Sequence, residues 1–309
     1  MALPGIVTLS GTANGVSTLE ATGLRDIASG TEMTPDALFQ IASMTKAITS
    51  VAALRLVEQG KLSLHDPIRD VLPELAELRV LTGFGDDGKP AFAPASTPVT
   101  LAHLLTHTAG FGYEFMSAEL NAALGEDRGA PGTLASLNTP LLFEPGTRWE
   151  YGINTDWAGR AVEAASGKTL GAAIEELVTG PLGMADTTFH PTDAQRARGA
   201  SLYVRNEEGA LMPMPLDFGG GKNAEFEAGG AGLWSSAEDY FRFLQLILNN
   251  GVHKGERLLS EETMRLLTTN QIGDLRAGAM GSIMPMMALP YDPFPGMDCG
   301  WSMAFLINK

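Results

Sequence analysis

Cysteine is nearly absent from this chain. The single Cys299 among 309 residues cannot form an intramolecular disulfide or a multi-cysteine metal site. Its neighbours Asp298 and Gly300 offer no base to activate a thiol, so a buried, unreactive side chain is expected. Basic residues are also scarce: 21 Lys and Arg stand against 36 Asp and Glu, a formal charge of −15. Phosphate binding needs clustered positive charge, and no basic cluster is visible, which argues against a nucleic-acid partner. The acidic excess reads as a solubilising surface.

Long apolar runs are missing too. No stretch approaches the roughly 20 apolar residues of a membrane span, and no charged segment followed by an apolar run opens the chain. A membrane partner is not expected, and a cytoplasmic location is the default. Met1-Ala2-Leu3-Pro4-Gly5 leads almost at once into a strand-like Ile6 to Ser10. That start looks short, so either a fragment or a chain whose ends are not represented is expected, and an exported precursor stays open.

Several catalytic templates fail. No Gly-x-Ser-x-Gly occurs, Gly167-Lys168-Thr169 lacks the earlier glycine of a phosphate loop because Val162 stands there, and His-Glu-x-x-His is absent. His103 and His107 have a zinc-compatible spacing, but Leu104 replaces the glutamate of a metalloprotease helix and no third ligand is evident. They read as structural histidines, and no metal is expected.

What is present is Ser43-Met44-Thr45-Lys46, at the head of an apolar segment running to Val57. Residues three apart on a helix are neighbours, so Lys46 can reach the Ser43 hydroxyl directly. The segment is apolar around most of its circumference, which predicts a buried helix. Burial and the positive end of the helix dipole both disfavour an ammonium there, so the Lys46 pKa is expected to fall, as suits a general base. The free backbone N–H of Ser43 is a candidate oxyanion donor. A second landmark is Glu144 to Asn154, where the turn signal Pro145-Gly146 precedes a short extended stretch carrying Tyr151, and a helix follows at Thr155 to Ser166.

Elsewhere, Ile6 to Ser10 and Val16 to Thr22 read as a hairpin around Asn14-Gly15. Helical pieces at Thr100 to His107, Thr155 to Ser166 and Leu170 to Val178 alternate with Pro- and Gly-rich loops. A helix over Ser236 to Asn249, capped by Ser235 or Ser236, places Phe241, Leu244, Ile247 and Leu248 at helical spacing. Trp301 to Ile307 reads as a strand. Met280, Met284, Met286, Met287, Met297 and Met303 serve either as core filler or as a pliable acyl pocket. The length exceeds what one core usually organises, so two closely packed subdomains are expected, 1–61 with 231–309 and a mostly helical 62–230.

Together, Phe39 to Lys46, Leu101 to Gly110, Phe143 to Gly146 ahead of Tyr151, and Gly232 to Tyr240 resemble the serine hydrolases that include class C β-lactamases, D-alanyl-D-alanine peptidases and family VIII carboxylesterases. The resemblance implies an α/β fold of α+β type, an antiparallel sheet flanked by helices with a mostly helical inserted subdomain. It implies Ser43 as acylated nucleophile, Lys46 as its proton acceptor or the group that tunes it, and Tyr151 as the hydroxyl that relays a proton to the leaving group. Ile153, Asn154 and Phe111 are candidate pocket residues.

Two departures shape the expected activity. The β-lactamase relatives carry Tyr-x-Asn, whose asparagine binds a substrate amide, whereas here Tyr151-Gly152-Ile153 puts Asn154 one place late. Loss of a hydrogen-bonding group from a site discriminates against the ligand that needs it, so esters of apolar acids are favoured over penicillins. The family's third motif, a Lys-Thr-Gly or His/Trp-Gly-Gly strand, falls after Lys309, and Lys168-Thr169-Leu170 does not replace it. The expected enzyme is a carboxylesterase acting on small esters through an acyl-enzyme, without a cofactor. β-Lactamase, D-alanyl-D-alanine peptidase or acyltransferase activity on the same site is the near alternative, and a non-catalytic ligand-binding homologue the distant one.

Overall fold

The computed structural model describes residues 3–126, 128–206, 208–219, 221 and 224–309. Positions 1 and 2 of the expected first subdomain lie outside them. β1 (Gly5–Thr12) and β2 (Gly15–Asp26) form the expected hairpin, antiparallel from Gly5↔Gly23 to Thr12↔Gly15, and β3 (Thr31–Glu32) adds a third strand. β4 (Leu38–Gln40) then leads through a 3₁₀ turn, Ala42–Met44, into α1 (Thr45–Glu58). Every α1 residue from Thr45 to Leu54 is buried, as is Leu56, so the helix runs through the interior, as its nearly continuous apolar circumference requires.

The middle of the chain carries β5 (Arg79–Phe84), β6 (Pro90–Pro94), α2 (Leu101–Leu105), α3 (Ala118–Leu124) and α4 (Asn154–Ser166). α5 (Leu170–Ile174) continues through a π-helical turn at Glu175–Thr179 into α6 (Gly180–Leu182), followed by α7 (Asp193–Arg196) and the hairpin of β7 (Tyr203–Arg205) with β8 (Leu211–Pro213). Two antiparallel hairpins, β5–β6 and β7–β8, therefore sit among the helices of 62–230. β9 (Trp234–Ser236) returns to pair antiparallel with β4, and α8 (Ala237–Leu248) packs on β1. β10 (Val252–His253), β11 (Glu256–Arg257), α9 (Glu261–Thr268), β12 (Cys299–Trp301) and β13 (Leu306–Asn308) complete the order. This is the α+β arrangement expected, with helices packed around short antiparallel sheets.

One large apolar cluster draws on α1 (Ile48, Val51, Leu54), α2 (Leu101, Leu104), α4 (Trp157, Val162), α8 (Phe243, Leu246) and α9 (Met264, Leu267). Burying each such aliphatic side chain is worth about 1.5–3 kcal/mol, so α1 is held in place from several sides at once.

Three local expectations change. Trp301 to Ile307 is not one strand: Ser302 Oγ accepts from the backbone N–H groups of Ala304 and Phe305, and this side-chain turn folds the segment into the β12–β13 hairpin. α8 buries Phe241, Phe243 and Leu246, whereas Leu244 and Leu248 face outward, so its core face is rotated from the one expected. Of the six methionines only Met303 is core; Met286, Met287 and Met297 are exposed. Cys299 is a buried free thiol. Among the described residues no helix is long and apolar enough to cross a membrane.

Candidate active site

The Ser43 turn is built by the strand pair beside it. Ile41 N–H donates to Leu233 O at 3.0 Å, Leu233 N–H donates to Thr45 Oγ1 at 3.2 Å, and Met44 N–H closes on Ile41 O at 3.0 Å. Ala42 is thereby held at φ 44°, in the left-handed region, a conformation that costs about 1–3 kcal/mol and persists only where the surroundings enforce it. Ser43 lies two residues ahead of α1, in the 3₁₀ turn that continues directly into the first turn of the helix carrying Lys46. That geometry aligns it with Lys46.

Ser43 is exposed while Lys46 behind it is 4% exposed. Lys46 Nζ donates to Gly230 O at 2.8 Å, to Tyr113 Oη at 3.1 Å and to Ser43 Oγ at 3.3 Å. Three donors match three acceptors, the full capacity of an ammonium. Burial alone would lower the Lys46 pKa, but Tyr113, Tyr151 and Asp156 around it outweigh that, and it is raised above the ordinary lysine value. The burial expected from the sequence is present; the expected fall in pKa is reversed, because desolvation and the helix end are outweighed by Tyr113, Tyr151 and the buried Asp156 carboxylate, which come from other parts of the chain.

Tyr151 comes to the same amine by its ring: Lys46 Nζ lies 4.6 Å from the ring centroid, within cation–π range. Tyr151 also packs with His107, Trp149 and Trp301. The two phenol rings that flank Lys46 are 5.8 Å apart. Burial pushes the Tyr113 phenol up, against the pull of Lys46.

The sequence reading missed Tyr113 and Asp156. Tyr113 follows Gly110-Phe111-Gly112 in a loop 67 residues from Lys46, with no local pattern to mark it. Asp156, buried in the first turn of α4, accepts from Gly230 N–H at 2.9 Å. A Cβ on residue 230 would stand 2.7 Å from Asp156 Oδ2, so only glycine lets this chain segment approach the carboxylate. The available signal was an acid in the first turn of a helix, five residues after Tyr151.

Two of the three candidate pocket residues are not on the pocket wall. Phe111 is fully buried in the main core. Asn154 is also fully buried, its Nδ2 donating to Phe111 O at 3.0 Å and lying 3.1 Å from His107 Nδ1. Helical geometry explains this: Asn154 is the first residue of α4 and points into the protein. Ile153, the residue before it, lines a cavity of about 300 Å³ with Tyr113, Phe115, Asp156, Phe218 and Met287. Gly152 completes the junction, since a Cβ there would stand 2.4 Å from Phe111 O.

The two histidines of the zinc-like spacing are structural. His103 Nδ1 accepts from Thr100 N–H in a capping box at the start of α2, and His107 is buried against Trp149 and Trp301. Burial holds both imidazoles below their ordinary pKa, His107 well below and further depressed by the Lys46 charge.

A buried lysine behind an exposed serine, with a phenol at hydrogen-bond distance, is an arrangement suited to acyl transfer, and comparison with known proteins agrees. The family model described as Beta-lactamase matches residues 1–298. The chain belongs to that family. It is 38% identical over 281 residues to Protein Rv1367c of Mycobacterium tuberculosis, covering 88% of this chain and 69% of that one. It is 33% identical over 285 residues to the lovastatin esterase of Penicillium rubens, covering 89% of this chain and 71% of the esterase. The LovD6 mutant of simvastatin synthase (LovD) from Aspergillus terreus superposes with a TM-score of 0.81 at 28% identity, over 99% of this chain and 77% of that one. Esterases and acyltransferases of the β-lactamase fold are both among the relatives.

Proposed function

We propose that this protein is a serine hydrolase of carboxylic esters, acylated on Ser43. The observation that carries the reading is the contact of the buried Lys46 Nζ with Ser43 Oγ at 3.3 Å and Tyr113 Oη at 3.1 Å. Ser43 Oγ attacks the ester carbonyl and its proton passes into the Lys46–tyrosine unit. The oxyanion forms near the Ser43 backbone N–H. The alkoxide then leaves with a proton from the same unit, Tyr151 being the donor, and water attacks the acyl-enzyme to release the acid and restore Ser43. Because Lys46 is held as an ammonium, the unit must first lose one proton to become basic.

Ester preference over β-lactam is supported by Asn154. Its amide donor is engaged by Phe111 O and His107, and Ile153 stands in its place at the cavity, so the position offers nothing to a substrate amide. An unmatched amide loses affinity in such a wall.

A fluorophosphonate probe tests the nucleophile: the intact mass should rise by one adduct, and Ser43→Ala should prevent it. An unlabelled wild type would sink the assignment in favour of a binding protein. Turnover of a short p-nitrophenyl ester should exceed that of a chromogenic cephalosporin; the opposite order would replace esterase with β-lactamase. If added alcohol captures the acyl group in preference to water, the protein is an acyltransferase.

A further inference from the structure

Four groups that titrate or carry charge act on Lys46, two of them in contact with it and two through their field. Tyr113 reaches it from the loop after α2, Tyr151 from the stretch before α4, Asp156 from α4 itself, and His107 lies within range of its charge. His107 is neutral because burial and the lysine both oppose its protonation. A phenol is uncharged at neutral pH, and burial reinforces that for Tyr113. Of these four groups, only Asp156 can supply a full negative charge to a buried ammonium.

The connection between the two charges is built by Gly230. Its N–H donates to Asp156 Oδ1 at 2.9 Å, and its carbonyl accepts from Lys46 Nζ at 2.8 Å. Thr49 Oγ1, one turn along α1, donates to Gly229 O at 2.9 Å and fixes the same segment. A buried charge without a partner is strongly disfavoured, so each member of the pair makes the ionised form of the other tenable.

We propose that Asp156 is a positioning residue that keeps Lys46 charged in the resting site, aligning it through Gly230, and so sets the pH at which the serine can be activated. This extends the functional reading above, but the lysine's protonation can be measured without turnover. Burial raises the Asp156 carboxyl above its ordinary value; Lys46 and the N–H from Gly230 draw it back toward the ionised form without cancelling that rise.

The test is an NMR titration of the protein labelled with ¹³Cε-lysine, with the Lys46 signal assigned by its loss in Lys46→Met. Asp156→Asn keeps the shape and an acceptor for Gly230 N–H, and it should move the Lys46 titration down by about 1–3 pH units, the usual effect of one close opposite charge. The alkaline-rising limb of kcat/KM should shift down with it. A purely structural role would lower activity at all pH values and leave both midpoints in place. Gly230→Ala, which pushes against Asp156 Oδ2, should shift the lysine in the same direction and serves if Asp156→Asn does not fold. An unchanged lysine titration in the folded variant overturns the proposal. If wild type resists the fluorophosphonate but the lysine midpoint still falls, the hydrolase assignment fails and the charge pair stands.

Discussion

Tyr113 Oη lies 3.1 Å from Lys46 Nζ, whereas Tyr151 meets the same nitrogen through its ring, 4.6 Å away at the centroid. The two phenols therefore have different access to the proton traffic. If Tyr151 protonates the departing alkoxide, Tyr151→Phe should slow alkyl esters by about 10²–10⁴-fold and p-nitrophenyl esters much less, because p-nitrophenolate leaves without a proton. Tyr113→Phe removes a partner of Lys46 and should slow both substrates alike. Paired kcat/KM values for the two ester types check this, and an equal loss for Tyr151→Phe would remove its proposed role.

The pH profile follows from the direction of the Lys46 shift. A base must be deprotonated to act, and each unit by which its pKa rises reduces the free base at neutral pH about tenfold. Lys46 is raised by Tyr113, Tyr151 and Asp156 in spite of its burial, and burial raises Tyr113. The second-order rate constant should climb from neutral pH and still be rising near about pH 9. A plateau reached by pH 7, measured on an ester stable over that range, would show that the resting lysine is already neutral.

Asn154 separates stability from binding. Its side chain bridges Phe111 O and His107 in the interior, so Asn154→Ala should cost about 1–3 kcal/mol in denaturant unfolding through the groups it leaves unpaired. The KM of the folded variant for a small ester should remain close to that of wild type. A large rise in KM with unchanged stability would return Asn154 to the pocket.

Much of this was legible along the chain because it rests on local patterns. The hairpin follows from alternation around Asn14-Gly15, and α1 from an apolar circumference that only an interior helix can satisfy. The serine–lysine contact is visible because three-residue spacing fixes it almost without reference to the rest of the fold. Tyr113 and Asp156 reach the lysine through packing between α1, α4 and distant loops, which no spacing rule encodes. The error about the lysine's charge has the same origin: desolvation can be read from a buried helix, but its compensation comes from Tyr113, Tyr151 and Asp156, all distant from Lys46 along the sequence. Met286 and Met297 misled for a related reason, since composition does not reveal on which side of the surface a methionine lies, whereas Met287 lines the cavity beside Ile153.

The stretch from Gly230 to Leu233 fastens the reactive serine's turn at one end and receives the lysine at the other. Nucleophile and amine are thus moored to a single short quay. Their separation should survive thermal agitation that would pull apart two groups anchored independently, so warming should leave the chemistry intact until the whole anchorage comes loose.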